Sequence, residues 1–144
     1  MIEQLLLLGQ IVLAIILGGA IGYEREAADK PAGLRTHMLV AGSAAMLTGL
    51  AKVLVSEFDV NESLIQADPI RIIEAVITGI SFLGAGTILR NRGENKVEGL
   101  TTAASLLMAA ALGVGVAMNQ FVLAVGTVMI VLLILHLVRI KLED

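Results

Sequence analysis

Residues Gln4–Tyr23, QLLLLGQIVLAIILGGAIGY, hold twenty positions without one Asp, Glu, Lys or Arg. As an α-helix rising 1.5 Å per residue, such a run spans about 30 Å, the thickness of a bilayer's hydrocarbon core. Charge returns at once in Glu24-Arg25-Glu26, where a boundary between lipid and water is expected. No Lys or Arg precedes the run, and it ends in Gly-Gly-Ala-Ile-Gly-Tyr-Glu rather than in a cleavage pattern. It therefore reads as a retained first membrane helix and not as a secretory leader.

Four further stretches follow the same rule: Met38–Ala51 (extensible to Val55), Ala75–Leu89, Leu100–Met118 and Phe121–Val138. The second and third reach spanning length only if Lys52, Arg71 and Glu74 lie at the interface, with the long cationic chains snorkelling to the headgroups. Asn119-Gln120 leaves room for nothing but a tight turn between the last two spans. Across the 144 residues, 57% are hydrophobic and 16% charged, against about 45–50% and 25% for soluble domains. The mean hydropathy of +0.90 agrees. The fold class predicted is all-α: one domain over residues 1–144, a polytopic transmembrane bundle of about five helices.

The cations test this arrangement. With five spans, Arg25, Lys30, Arg35, Arg90, Arg92, Lys96, Arg139 and Lys141 share one side, and only Lys52 and Arg71 the other. An excess of eight to two places the C-terminus in the cytoplasm and the N-terminus outside. The net charge of −3 suggests neither nucleic acid nor a polybasic lipid tether. The absence of cysteine excludes disulfides, a thiolate nucleophile and Cys-based metal sites.

Small residues mark the expected helix contacts. Gly18 and Gly22 form a G-x-x-x-G pair, and Gly79, Gly84, Gly86, Gly113, Gly115 and Gly126 recur in later spans. Within lipid, close backbone approach through glycine supplies much of the association energy. Gly84-Ala85-Gly86 is also the most plausible site for a bend. An internal repeat is suggested: Gly19-Ala20 and Arg25 align with Gly84-Ala85 and Arg90, then Lys30, Gly33-Leu34 and Thr36 with Lys96, Gly99-Leu100 and Thr102. Both units read span, charged loop, Gly-Leu-x-Thr, span, which predicts a parallel duplication plus a fifth helix.

No charged residue lies deep in any span, where ionisable groups usually signal transport or proton relay. Polar chemistry instead gathers at the cytoplasmic face. Glu24, Arg25 and Glu26 close the first helix, Arg35, Thr36 and His37 open the second, and Thr101 and Thr102 open the fourth. Free amides and hydroxyls at helix starts suit an anion or an acidic side chain. Glu24, Arg25, Glu26, Arg35, Thr36, Thr101 and Thr102 are therefore the candidate ligand- or partner-binding residues. His136 reads as interfacial. Glu57, Asp59, Glu62, Asp68 and Glu74 on the outer side suit loop solvation, or weak attraction of hard divalent cations; a metal site is not identified. Soluble-enzyme motifs are missing, so neither an enzyme nor a cofactor is expected.

Three stretches in order resemble the MgtC/SapB family of bacterial membrane proteins. They are GAIGYERE (19–26) with KPAGLRTH (30–37), DPIR (68–71) with GISFLGAGTI (79–88), and VEGLTTAAS (97–105). The resemblance covers the family's membrane domain, from Gly18 to about Gly115, without the ACT-like cytoplasmic domain that many members carry after it. Leu107 stands where the family commonly has Trp, and Glu74 where it commonly has Gln. The resemblance implies a multi-pass protein of the cytoplasmic (inner) membrane, regulatory in character. Relatives are linked to magnesium homeostasis at low magnesium, to virulence through survival in macrophages, and to restraint of the F-type ATP synthase. The reading is of a homo-oligomer in the lipid bilayer that binds another membrane protein, such as that synthase, or a small ligand. The alternative is a small oligomeric transporter or channel for a divalent cation.

Overall fold

The computed structural model describes residues 1–58, 69–91 and 96–143. Five helices appear: α1 Ile2–Ala27, α2 Leu34–Phe58, α3 Pro69–Thr87, α4 Leu100–Ala117 and α5 Phe121–Glu143. Among the described residues four of them are long and apolar enough to cross a membrane, and α5 contributes the apolar stretch Phe121–Leu137. The expected all-α membrane bundle is the observed architecture. Between α3 and α4 the chain forms a small antiparallel hairpin, β1 Leu89–Asn91 with β2 Lys96–Glu98, in which Leu89 faces Glu98 and Arg90 faces Val97. The reading of that stretch as a plain loop missed these two short strands.

Helices α1, α2 and α4 form the centre; α3 packs on α4 and more sparsely on α2, and α5 lies on α1 and α4. The α1–α2 seam is antiparallel and is made by glycine. A Cβ on Gly18 would sit 2.6 Å from both the Ala41 Cβ and the His37 carbonyl oxygen, and one on Gly22 2.8 Å from the Leu34 Cα. No larger residue fits without moving backbone. Gly113 of α4 lies closer still to the Ala41 carbonyl of α2. Gly84 meets Ala103 and so joins α3 to α4.

Gly79 and Gly86, also expected to pack helices, meet nothing within 4 Å. The reason is the position of α3, only 11% of whose span is buried, against 44% for α2 and 50% for α4. Nor does the glycine pair break the helix, which runs to Thr87.

Two turns end helices in the same way. After α1, Lys30 N–H donates to the Arg25 carbonyl and Asp29 N–H to that of Glu26, with Asp29 at φ +51°. After α4, Gln120 N–H donates to the Gly115 carbonyl and Asn119 N–H to that of Val116, with Asn119 at φ +61°. Both are Schellman motifs, with the left-handed position taken by Asp or Asn, the residues that tolerate it best after glycine. The second supplies the tight turn that the short Asn119-Gln120 link demanded.

Helix order and contacts put α2 and α4 parallel, with α1 and α3 antiparallel to them. The α1–α2 loop and the β1–β2 hairpin therefore emerge at one end, here the motif end, and Asn119 lies at the other. There Gln10 Nε2 donates to Asn119 Oδ1 at 2.6 Å, and Lys52 Nζ donates to the Ala117 carbonyl at 3.0 Å.

Candidate functional site

At the motif end the last turn of α1 holds two carboxylates with different work. Glu26 Oε2 accepts the Leu34 N–H at 2.8 Å. The first helix thus caps the second across the loop, with a negative group at the positive end of the α2 dipole. Gly33 leaves room for this approach, since a Cβ there would lie 2.6 Å from that same carboxylate oxygen and push it aside. Glu24 instead pairs with its neighbour Arg25, whose residue is only 4% exposed. The other Glu24 oxygen, Oε1, is buried without a hydrogen-bond partner. Among the described residues Glu24–Arg25 is the single ion pair.

The feature that sequence reasoning passed over is His37. It is fully buried on the first turn of α2. Its Nδ1 is 2.9 Å from the Gly33 carbonyl, which can only accept, so Nδ1 carries a hydrogen and donates. Nε2 lies 2.9 Å from Ser105 Oγ of α4, and that hydroxyl is also 2.8 Å from the Thr102 carbonyl. A neutral ring accepts the Ser105 proton at Nε2, and the hydroxyl then has none left for Thr102. A protonated ring donates to Ser105, which frees the hydroxyl to donate onward. The arrangement thus links α2 to α4 through one proton with two destinations.

A signal for this pair existed. His37 falls on the same face of α2 as Ala41, Ala44, Ala45 and Thr48, and Ser105 on that of Thr102, Ala109 and Gly113. Polar residues in register with a small-residue stripe lie in the seam rather than in the loop.

The expected seven residues divide. Arg25 and Thr102 are buried and Glu24 mostly so, whereas Glu26, Arg35, Thr36 and Thr101 are exposed. They share one end of the bundle, some in its interior and some on its surface. Of the acidic run expected on the outer side, Asp59, Glu62 and Asp68 lie outside the described residues, and Glu74 is exposed. Among the described residues no three of His, Asp and Glu gather as a metal site.

Fold and polar end together define a polytopic α-helical membrane protein whose buried polar contacts concentrate at one end. The chain belongs to the MgtC family, whose model matches residues 11–143. It is 39% identical over 130 residues to the protein called "Putative magnesium transporter YhiD" of Escherichia coli K12, covering 87% of this chain and 57% of that one. Protein MgtC of Salmonella typhimurium LT2 is 39% identical over 122 residues, covering 85% and 48%. Protein SapB of Bacillus subtilis is 35% identical over 121 residues, covering 84% and 51%. The chain thus spans about half the length of these relatives. No solved structure matches it.

Proposed function

We propose that this chain is a regulatory protein of the bacterial cytoplasmic membrane, tied to adaptation to low magnesium. It acts without catalysis, by binding another membrane protein or a small ligand, as a self-associating bundle with its motif end in the cytoplasm. One observation carries the reading. Arg25 and Glu24 are held together in a largely dry setting, and Glu24 Oε1 keeps an unused acceptor site. Replacing a buried ion pair by apolar residues is often neutral or stabilising, so stability alone does not account for it. Arg35, Thr36 and Thr101 present exposed donors at the same end, and none has a partner among the described residues.

Transport of a divalent cation is the competing reading, favoured by the name of the Escherichia coli relative. It needs a polar path, for which Thr78, Ser81, Thr87 and Ser105 are the natural lining. Thr78 and Ser81 are exposed on α3 and donate to carbonyls of their own helix, and Thr87 donates to Gly84. Ser105 is engaged with His37. These hydroxyls do not converge, which favours regulation.

Two assays test the proposal. Complementation of growth at low magnesium, at matched membrane expression, is expected to fail with Arg35→Ala and to survive Lys141→Ala; equal effects count against a special motif end. Magnesium flux into sealed proteoliposomes is expected to equal that of empty vesicles. Saturable flux that Arg35→Ala abolishes makes the transporter reading the better one.

A further inference from the structure

The sparse contact between α2 and α3 leaves an open groove of about 640 Å³. Its walls are almost wholly apolar, with Leu47 and Leu54 on α2 facing Ile72 and Ile80 on α3, and Ala44 and Gly79 adding little bulk. Along α2 it runs from Val40 to Leu54, about 21 Å at the helical rise. One leaflet of the hydrocarbon core is about 15 Å deep. The groove therefore accommodates an extended hydrocarbon chain entering from one membrane surface.

Its two ends differ chemically. At the Leu54 end, away from the motif end, the groove is bordered by Arg71, an exposed cation that no described residue pairs with. Arg71 stands on the first turn of α3, at the positive end of that helix dipole. Glu74, one turn further on, does not line the groove. An apolar slot of leaflet depth, with a guanidinium at its interfacial mouth that no described residue pairs with, has one complementary occupant. That occupant carries an acyl chain and an anionic headgroup, and arginine is well suited to phosphate.

We infer that the α2–α3 groove is a binding site for an anionic phospholipid, with its acyl chain along Gly79 and its phosphate on Arg71. Gly79 then has a role that helix packing within the chain does not give it: it keeps the slot open. Its charged end lies opposite the proposed regulatory surface, none of whose residues lines the groove.

The test uses the full chain, purified in detergent, stripped of lipid and then offered phosphatidylglycerol or phosphatidylcholine, with bound lipid counted by native mass spectrometry. Wild type is expected to retain phosphatidylglycerol in preference. Arg71→Gln is expected to lower that preference about fivefold, the scale of one cation at an anionic surface, and Arg71→Lys to restore much of it. Gly79→Phe is expected to abolish retention of both lipids. Since nothing lies within 4 Å of that position, an unchanged circular dichroism melt is expected to show that the bundle still folds. Arg35→Gln, at the far end, is expected to leave retention as in wild type. Equal retention of the two lipids, or unchanged preference in Arg71→Gln, overturns the inference. A lipid-free dimer that Gly79→Phe breaks also overturns it, assigning the groove to a second copy instead.

Discussion

The two hairpins of this protein share a local grammar and differ in what they pack against. In both, a glycine followed by Leu-x-Thr starts the second helix, and the glycine carbonyl accepts the amide four residues on: Gly33 from His37, Gly99 from Ala103. In both, that glycine touches the last turn of the preceding helix, Gly33 against Glu26 and Gly99 against the Thr87 carbonyl. These contacts fall at matching places in the suggested repeat. The packing does not follow suit. Helices α1 and α2 close on each other through Gly18, Gly22, Gly42 and Gly49, whereas α3 offers Gly84 to Ala103 and leaves Gly79 and Gly86 open. One hairpin has become core, and the other keeps a helix only lightly attached.

The sharpest way to break this comparison is to put the same side chain on both sides of it. Gly22→Leu drives its branch into the Leu34 backbone and is expected to cost up to about 3 kcal/mol or to prevent folding. Gly86→Leu meets open space and is expected to stay within about 0.5 kcal/mol of wild type. Reversible unfolding in mixed micelles reads both, and equal losses would mean that α3 is packed as tightly as α1.

A smaller effect concerns the buried side-chain bond between the hairpins, His37 to Ser105. Ser105→Ala leaves His37 Nε2 without its partner in a buried seam, at an expected cost of about 1–3 kcal/mol. Ser105→Thr keeps the hydroxyl and is expected to lose less. If both variants unfold like wild type, the histidine has another acceptor or donor.

The smallest expected change is at the cap, which belongs to the first hairpin alone. Glu26→Ala is expected to cost about 1 kcal/mol, and Glu26→Gln less, because the amide oxygen can still accept from Leu34. Amide exchange at Leu34 in the micelle reads this directly, since faster exchange should be confined to the first turn of α2.

The spans were legible in the sequence because charge is so costly in lipid that its absence over twenty residues says almost everything. Which face of each span meets protein was not. In water a buried face differs from an exposed one in polarity, whereas in a bilayer both are apolar, so Gly18 and Gly79 look alike on the page. Only the register of small residues separates them, and only where several helices share it. The same ambiguity hid His37, which sits beside Arg35 and Thr36 in the sequence but turns inward from them. Glu26 as a cap was beyond the sequence because its partner amide is reached across a loop that Asp29 turns at positive φ and that brings Gly33 against the carboxylate.

The imidazole of His37 also bears on how the protein is made. Its partner hydroxyl lies 68 residues further along the chain, so during synthesis the first hairpin enters the bilayer with its glycine seam complete and one ring nitrogen unanswered. Apolar surface gives a newly inserted helix no reason to prefer protein over lipid. An unsatisfied nitrogen does. The arrival of α4 relieves that deficit at one place only, which turns the order of translation into a docking address for the second hairpin.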